Sequence, residues 1–375
     1  MIDSLKIYEF FIFNSNKNLN DTIIFNSSGF DNGQTSSFFD FIETTNLKNI
    51  YFFSPWECYY QFTTDIIINQ KYTDKINRIL ENKNIYLKIV YCSDSSDIYE
   101  NKINAFNGRI EIIYWPTAIL LPTYNMIFNQ YFQNKYDDIE YLDGIDLLSN
   151  FNNKDITTLY SHYNNRPRYH RCMMFDLLSK NNLIELGNNS WNNLNNNQPQ
   201  NEIVDIYPIY EFKYWKEIIL TIDSFNEDGI MMTDTLLNPP SLFNLIGESS
   251  STIPYITEKT FRSLLIGHPF LIYGSKNHNK ELLKYGFELY DEIFDYAFEK
   301  SDKIEDRILG VINNINKLKD SNYLNLYNGI KPKILRNQKR AIELLKKDEY
   351  IPKKLWDFYN KNICNTKLFF VSLYK

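Results

Sequence analysis

Phe243-Asn-Leu-Ile-Gly-Glu248-Ser-Ser-Ser-Thr-Ile-Pro-Tyr255-Ile-Thr-Glu258-Lys259-Thr-Phe-Arg262-Ser-Leu-Leu-Ile-Gly-His-Pro-Phe-Leu-Ile-Tyr-Gly-Ser275 reads in order as strand, loop, helix and strand. The apolar run Phe243–Ile246 predicts a strand, and Glu248–Pro254 a polar loop. A helix from about Thr257 to Ile266 follows, then a β-rich run from Pro269 to Tyr273 that Gly274 ends. That is a βαβ unit. In such a unit the loop leaving the first strand and the start of the next helix lie at the carboxyl edge of a parallel sheet, where main-chain N–H groups and the helix dipole favour a phosphate. Glu258 and Lys259 fall in the first helical turn, so Lys259 can neutralise a phosphate and Glu258 can take the hydroxyls of a ribose or sugar. Phe261, Leu264 and Leu265 are placed to pin the helix to the sheet.

The order Glu248, polar loop, Tyr255-Ile-Thr-Glu258-Lys259, Arg262 and a strand ending in Tyr-Gly-Ser resembles the donor-binding signature of the α1,3-fucosyltransferases, enzymes of the GT-B fold. Order and spacing agree over about thirty residues; Ser249 stands where that family usually has Asn. A second segment, Arg171-Cys-Met-Met-Phe175-Asp176-Leu-Leu178, is similar to the family's Arg-x-x-x-Tyr-Asp-x-Leu. Elsewhere there is little likeness. The resemblance implies an α/β fold of two Rossmann-like domains whose parallel sheets face each other across a cleft, with GDP-fucose as donor and a glycan hydroxyl as acceptor. It implies that Arg171 contacts the donor diphosphate, that Tyr255 and Glu258 hold ribose or sugar hydroxyls, and that Glu248 lies close to the fucose.

Composition bounds what surrounds this unit. A chain of 375 residues suggests two domains of ordinary size. Tyr (29) and Phe (27) outnumber Gly (12), and Asn and Ile are abundant, which fits an AT-rich genome better than any prion-like role for the asparagines. The net charge of −6 argues against general nucleic-acid binding, which needs a basic face. Cys58, Cys92, Cys172 and Cys364 show no metal or redox spacing, and a reducing compartment is the simplest reading. Met1–Phe13 carries Asp3 and Glu9 in place of a basic leader, and no apolar run nears the ~20 residues that span a bilayer. A cytoplasmic protein is expected, in the host cytoplasm if the source is viral.

Along the chain, strands are expected at Lys6–Phe13, Thr22–Phe25, Asn49–Phe53, Ile85–Cys92 and Arg109–Trp115, and helices at Ser37–Thr45 and Thr73–Glu81. Weaker helical patterns lie at Tyr124–Phe132 and Ile145–Phe151. This alternation favours a parallel sheet covered by helices. The expected domains are residues 1–154, 155–325 for the nucleotide-sugar side, and a helical tail over 326–375. In the second domain Thr157–Tyr163 reads as a strand and Arg171–Lys180 as the helix after it. Between them, Asn164-Asn-Arg166-Pro-Arg168-Tyr-His170-Arg171 gathers cations where a strand hands over to a helix, a good place to meet an anion; Arg168 is the alternative to Arg171 for that role. Asn188–Asn201 reads as a surface excursion, Ile203–Tyr207, Ile218–Ile222 and Phe287–Tyr290 as strands, and Lys280–Tyr285 and Ile304–Leu318 as helices. The lysine-rich stretch Lys331–Lys354 has helical periodicity. A basic helix can make peripheral contact with an anionic membrane, although a solvated flank packed on the domains is the commoner case.

Other chemistries lack their marks. There is no GxGxxG, no Walker loop, no Asp-x-Asp metal pair and no Gly-x-Ser-x-Gly. With the resemblance, this makes sugar transfer without a required metal or cofactor the leading reading, with Lys259 and Arg171 balancing the charge of the leaving diphosphate. Arg262, nearly one turn beyond Lys259, can join the donor site or brace the neighbouring loop. The expected base is a carboxylate after a first-domain strand. Glu57 suits that place, and the family carries a Glu after a comparable strand; Asp94 is its rival, and Pro55-Trp56-Glu57 is also what a helix start looks like. The reading from another class is a non-catalytic GT-B scaffold that binds a nucleotide sugar or glycan.

Overall fold

The computed structural model describes residues 7, 10–11, 18–19, 22–26, 34–53, 70–91, 102–115, 156–164, 168–191, 240–248, 251, 254, 256–347 and 351–363. The chain divides into two compact units, Met1–Leu120 with Leu344–Lys375, and Leu121–Glu343. The tail that the sequence sets apart from residue 326 is thus shared between the two units.

The first unit is built on the sheet order β1-β2-β3-β4-β5, with β1 Asn18–Leu19, β2 Thr22–Asn26, β3 Asn49–Phe53, β4 Tyr86–Tyr91 and β5 Ile110–Tyr114. Only the β1–β2 pair is antiparallel; β2 to β5 run parallel in chain order. Residues of β3 alternate between the two faces. Phe52 meets Phe38 of α1 (Gln34–Thr44), which packs beside α2 (Gln70–Lys83) through the stacked rings of Phe39 and Tyr72. On the other face Tyr51 stacks on Phe358 with ring centroids 4.2 Å apart, and Phe53 meets Phe11. Phe358 belongs to the chain's last described helix, Lys353–Ile363, which therefore packs on the core of this unit.

The run Lys6–Phe13 is not a strand where it is described: Ile7, Phe10 and Phe11 have helical backbone and are fully buried. Its aromatic and β-branched residues suggested β structure, but the i, i+3, i+4 spacing of these three gives a helix one apolar face. Packing has decided between the two readings.

The second unit holds β6 Thr158–Asn164, β7 Gly187–Trp191, β8 Ser241–Gly247 and β9 Phe270–Tyr273, all parallel in the order β7-β6-β8-β9. The α/β architecture of two parallel-sheet, Rossmann-like units read from the sequence is the one the chain forms. Every residue of β8 is buried, as an interior parallel strand requires. Between β6 and β7 runs α3 (Tyr169–Lys180), and between β8 and β9 runs α4 (Glu258–Leu265). Because β7 and β8 lie on opposite sides of β6, the winding reverses between β6 and β8, and a crevice opens at the carboxyl ends of those two strands.

Two expectations in this unit need correcting. Gly187–Trp191 is the edge strand β7, where an asparagine-rich excursion was expected to begin; Asn189 is buried and its amide donates to the carbonyls of Ile184 (2.8 Å) and Gly187 (3.0 Å). Phe287–Tyr290 is not a strand, since side chains take the main-chain donors a neighbouring strand would use. The Glu288 N–H goes to Asn337 Oδ1 at 2.7 Å and the Tyr290 N–H to Tyr296 Oη at 3.1 Å. The expected elements at Tyr124–Phe132, Ile145–Phe151, Ile203–Tyr207 and Ile218–Ile222 lie outside the described residues.

Helices α5 (His278–Lys284), α6 (Ile304–Leu318), α7 (Tyr323–Lys347) and α8 (Lys353–Ile363) complete the chain. α6 buries the stripe Ile304, Ile308, Val311, Ile312 and Ile315 and packs on α3. Part of the basic face of α7 is engaged within the second unit. Lys333 pairs with Asp291 and Glu292, and Arg336 with Glu288. Among the described residues no helix is long and apolar enough to cross a membrane.

Candidate functional site

The crevice at the switch point is built from two handovers of strand to helix. At the first, β6 ends at Asn164, Arg168 precedes α3 with extended backbone, and Arg171 lies in the first turn of that helix. At the second, β8 ends at Gly247, the loop passes Glu248, and Thr257 caps α4 by accepting the Lys259 N–H at 3.3 Å. The far end of α4 closes at Gly267 (φ +66°), with the His268 N–H on the Ser263 carbonyl (2.8 Å) and the Gly267 N–H on that of Leu264 (3.2 Å). Phe261, Leu264 and Leu265 are buried, as their spacing foretells, and fix the helix against β8 and β9.

Glu248 joins the two handovers. Its side chain is fully buried, and its carboxylate accepts the Thr257 N–H at 3.2 Å, the Thr257 hydroxyl, and the Thr260 hydroxyl at 2.5 Å. Its main-chain carbonyl accepts from His170 Nε2 (2.8 Å) and from Arg171 Nη2 (3.2 Å). Arg171, 3% exposed, also donates Nε (3.2 Å) and Nη2 (2.9 Å) to the Gly247 carbonyl. So Arg171, expected on the donor diphosphate, has its guanidinium on the carbonyls that end β8. The Glu248 carboxylate likewise lies against the first turn of α4, where it takes a main-chain donor that was assigned to a ligand phosphate on sequence grounds.

The remaining expected residues are placed as follows. Lys259 is partly exposed at the second position of α4, its Nζ 3.5 Å from the Thr257 hydroxyl. Arg168 and Arg262 are also partly exposed, on the α3 cap and in the last turn of α4. Glu258 opens α4 by its backbone. Tyr255, Glu57 and Asp94 lie outside the described residues. The structure thus brings Arg168, Arg171, Glu248 and Lys259 to the two handovers of one sheet edge, with Arg262 in the last turn of α4.

Beneath them is a buried polar layer that sequence reasoning passed over. His162 Nε2 meets the Tyr273 hydroxyl at 2.7 Å and the Asn164 amide at 2.6 Å, and the His162 ring lies 4.4 Å from that of Phe175. Burial first, and then the charge of Arg171, lower the His162 pKa to about 3 and hold His170 well below its ordinary value. Both imidazoles are therefore neutral. Burial pushes the Cys172 thiol up to about 12, which makes it inert. Thr257 and Thr260 bracket the Glu-Lys pair and were legible as helix-start residues, whereas Tyr273 carried no signal beyond a strand end.

The third loop at this edge follows β9 and is tied by α6. Arg307, 4% exposed, donates to the carbonyls of Gly274, Ser251, Ser301 and Asp302. The sequence does hold a sign of it: Arg307 falls on the apolar stripe of α6, three residues after Ile304 and four before Val311. Among the described residues no three or more His, Cys, Asp or Glu side chains are grouped to hold a metal ion.

No protein-family model and no curated protein matches the sequence. Among solved structures, the chain is similar to the DNA-modifying enzyme β-glucosyltransferase, solved in the presence and absence of its substrate uridine diphosphoglucose (TM-score 0.36, 14% identity, 92% of this chain and 81% of that one). It is also similar to T4 phage BGT in complex with UDP and Mn2+ (0.35, 14%, 92% and 83%) and to an α1,3-fucosyltransferase (0.37, 12%, 86% and 90%). Similarity at that level assigns neither donor nor acceptor.

Proposed function

We propose that the chain is a glycosyltransferase that binds a nucleotide-diphosphate sugar at the carboxyl edge of its second sheet and passes the sugar to a glycan hydroxyl. The sequence resemblance favours GDP-fucose as donor. The observation that carries the reading is the position of Thr257-Glu258-Lys259: it heads α4 at the switch point, beside the Arg168 turn, where open α/β sheets take their ligands.

In this reading Lys259 and Arg168 meet the diphosphate, with Arg262 further along the same helix. Arg171 and Glu248 act from below by fixing the two loops. Tyr255 and Glu258 keep the role the resemblance gives them, on ribose or sugar hydroxyls. The acceptor oxygen attacks the anomeric carbon, its proton passes to a first-unit carboxylate (Glu57, or Asp94), and the bond from the anomeric carbon to the diphosphate oxygen breaks, inverting the centre. Charge grows on the leaving diphosphate, so cations fixed beforehand lower the barrier more than they tighten the ground state.

A thermal-shift screen over GDP, UDP, ADP and CMP sugars tests this directly. Stabilisation by GDP compounds alone supports the fucosyl reading, preference for UDP removes its donor, and stabilisation by none removes the function. A protein that binds the donor yet neither transfers nor hydrolyses the sugar is the non-catalytic scaffold.

A further inference from the structure

Arg307 is a buried cation that the function above does not use. Its guanidinium donates Nε to the Gly274 carbonyl (2.9 Å), Nη1 to those of Ser301 (2.8 Å) and Asp302 (3.1 Å), and Nη2 to that of Ser251 (3.0 Å). Three segments therefore meet on one planar group: the β8–α4 loop at Ser251, the chain just past β9, and the turn before α6. Ser251 is itself 2% exposed.

A core position on an apolar helical stripe needs no charge for packing, and burying one is costly unless hydrogen bonds compensate. Here main-chain carbonyls at the carboxyl edge of the sheet and in the turn before α6 supply the hydrogen bonds, and the Glu299 carboxyl lies within electrostatic reach. Among the described residues, Arg171 and His170 hold the carbonyls of Gly247 and Glu248 at one end of the loop, and the Glu248 carboxylate holds Thr257 and Thr260 at the other. Arg307 adds an anchor at Ser251, between them.

We propose that Arg307 is a positioning residue of the donor site, holding Ser251 of the β8–α4 loop against Gly274 just past β9 so that Ser251 keeps one position before a nucleoside diphosphate arrives. This rests on the donor reading given above. Its guanidinium works through the loop and touches no part of the donor. A loop that visits its competent position about a tenth of the time weakens apparent affinity about tenfold.

The test is isothermal titration of GDP and of UDP into wild type, Arg307→Lys and Arg307→Ala, at a temperature where far-UV circular dichroism shows each protein folded. Arg307→Ala is expected to bind the wild type's nucleotide about tenfold more weakly or worse, and millimolar guanidinium ion to recover part of that loss by refilling the vacated site. Arg307→Lys, with a charge but no fork, is expected to fall between. If Arg307→Ala is less heat-stable yet binds nucleotide as wild type does, Arg307 is a stability element and the proposal is overturned. If Arg307→Ala does not fold, Arg307→Lys decides alone, and wild-type affinity there is the overturning result. Wild type that binds no nucleotide is a different outcome: it removes the donor reading itself, and the proposal with it.

Discussion

Glu248→Gln should weaken the fold of the second unit by about 2–4 kcal/mol, although it changes one atom's chemistry at a site no solvent reaches. The carboxylate accepts from the Thr257 N–H (3.2 Å), the Thr257 hydroxyl and the Thr260 hydroxyl (2.5 Å), and its side chain is fully buried. Hydrogen bonds to a charged group contribute about 1.5–3 kcal/mol each. The amide keeps one acceptor oxygen and turns the other position into a donor. A threonine hydroxyl can rotate to accept from it, but the Thr257 N–H cannot, so between one and two charged bonds are lost. Glu248→Ala would leave all three donors unmatched, a loss that approaches the ~5–15 kcal/mol stability of a whole domain, and is the less informative variant. Urea unfolding followed by far-UV circular dichroism and tryptophan fluorescence is the assay. With slopes of about 1–3 kcal/mol/M, the midpoint of the second unit's transition should fall by roughly 1 M or more with its slope unchanged. A midpoint within experimental error of wild type would refute the reasoning, because it would mean that the carboxylate does not fasten α4 to β8.

Two further perturbations bear on the same edge. A Cβ added at Gly247 would lie 2.5 Å from the Tyr273 hydroxyl and 3.1 Å from Arg171 Cγ, so Gly247→Ala must push aside a buried ring and the stem of a buried arginine; a loss of about 1–3 kcal/mol is expected by thermal unfolding, and an unshifted melting temperature would contradict it. Glu299 concerns pH: burial raises its pKa from 4.5 to about 7, against the lowering effect of the Asn279 N–H and Arg307. Between those values the folded chain holds a proton that the unfolded chain has released, so this group's contribution to stability falls as pH rises from 4.5 to about 7, by about 3 kcal/mol in all. Buried neutral His162 works in the opposite direction, costing stability as pH falls from 6.5 towards 3, so the difference between wild type and Glu299→Gln isolates the glutamate. Urea midpoints of the two proteins should converge towards pH 5 and separate in the variant's favour by pH 7.5; parallel curves would contradict the assignment.

What could be read from the sequence was whatever declares itself by local pattern. β8 and β9 are apolar runs closed by glycine, and α4 and α6 show one apolar face each; all four lie close to where they were expected. Asn189 and Ser190 hid β7, because an edge strand whose inward side chains are polar has no hydrophobic alternation to show. Ile7, Phe10 and Phe11 carry side chains that suit strands in a spacing that suits helices, and only packing separates the two. Arg171 after β6 and Glu248 after β8 were legible as residues where a strand hands over to a helix, but the carbonyls that Arg171 meets lie 76 and 77 residues away along the chain. Arg307 donates to Ser251 across 56 residues. Long-range partners of this kind decide whether a buried cation meets a ligand or holds a loop, and local pattern carries no record of them.

Calorimetric titration of GDP-fucose and GDP into wild type and Lys259→Ala decides whether the head of α4 receives a nucleoside diphosphate. Lys259 is the partly exposed cation in the first turn of that helix, where the dipole acts on the same charge. One charged hydrogen bond of about 1.5–3 kcal/mol corresponds to roughly a tenfold to hundredfold weaker Kd. That loss is expected in Lys259→Ala, with a smaller one in Arg262→Ala. Equal affinity of wild type and Lys259→Ala for a nucleotide that does bind would contradict it, and would leave Thr257-Glu258-Lys259 as a helix start and nothing more.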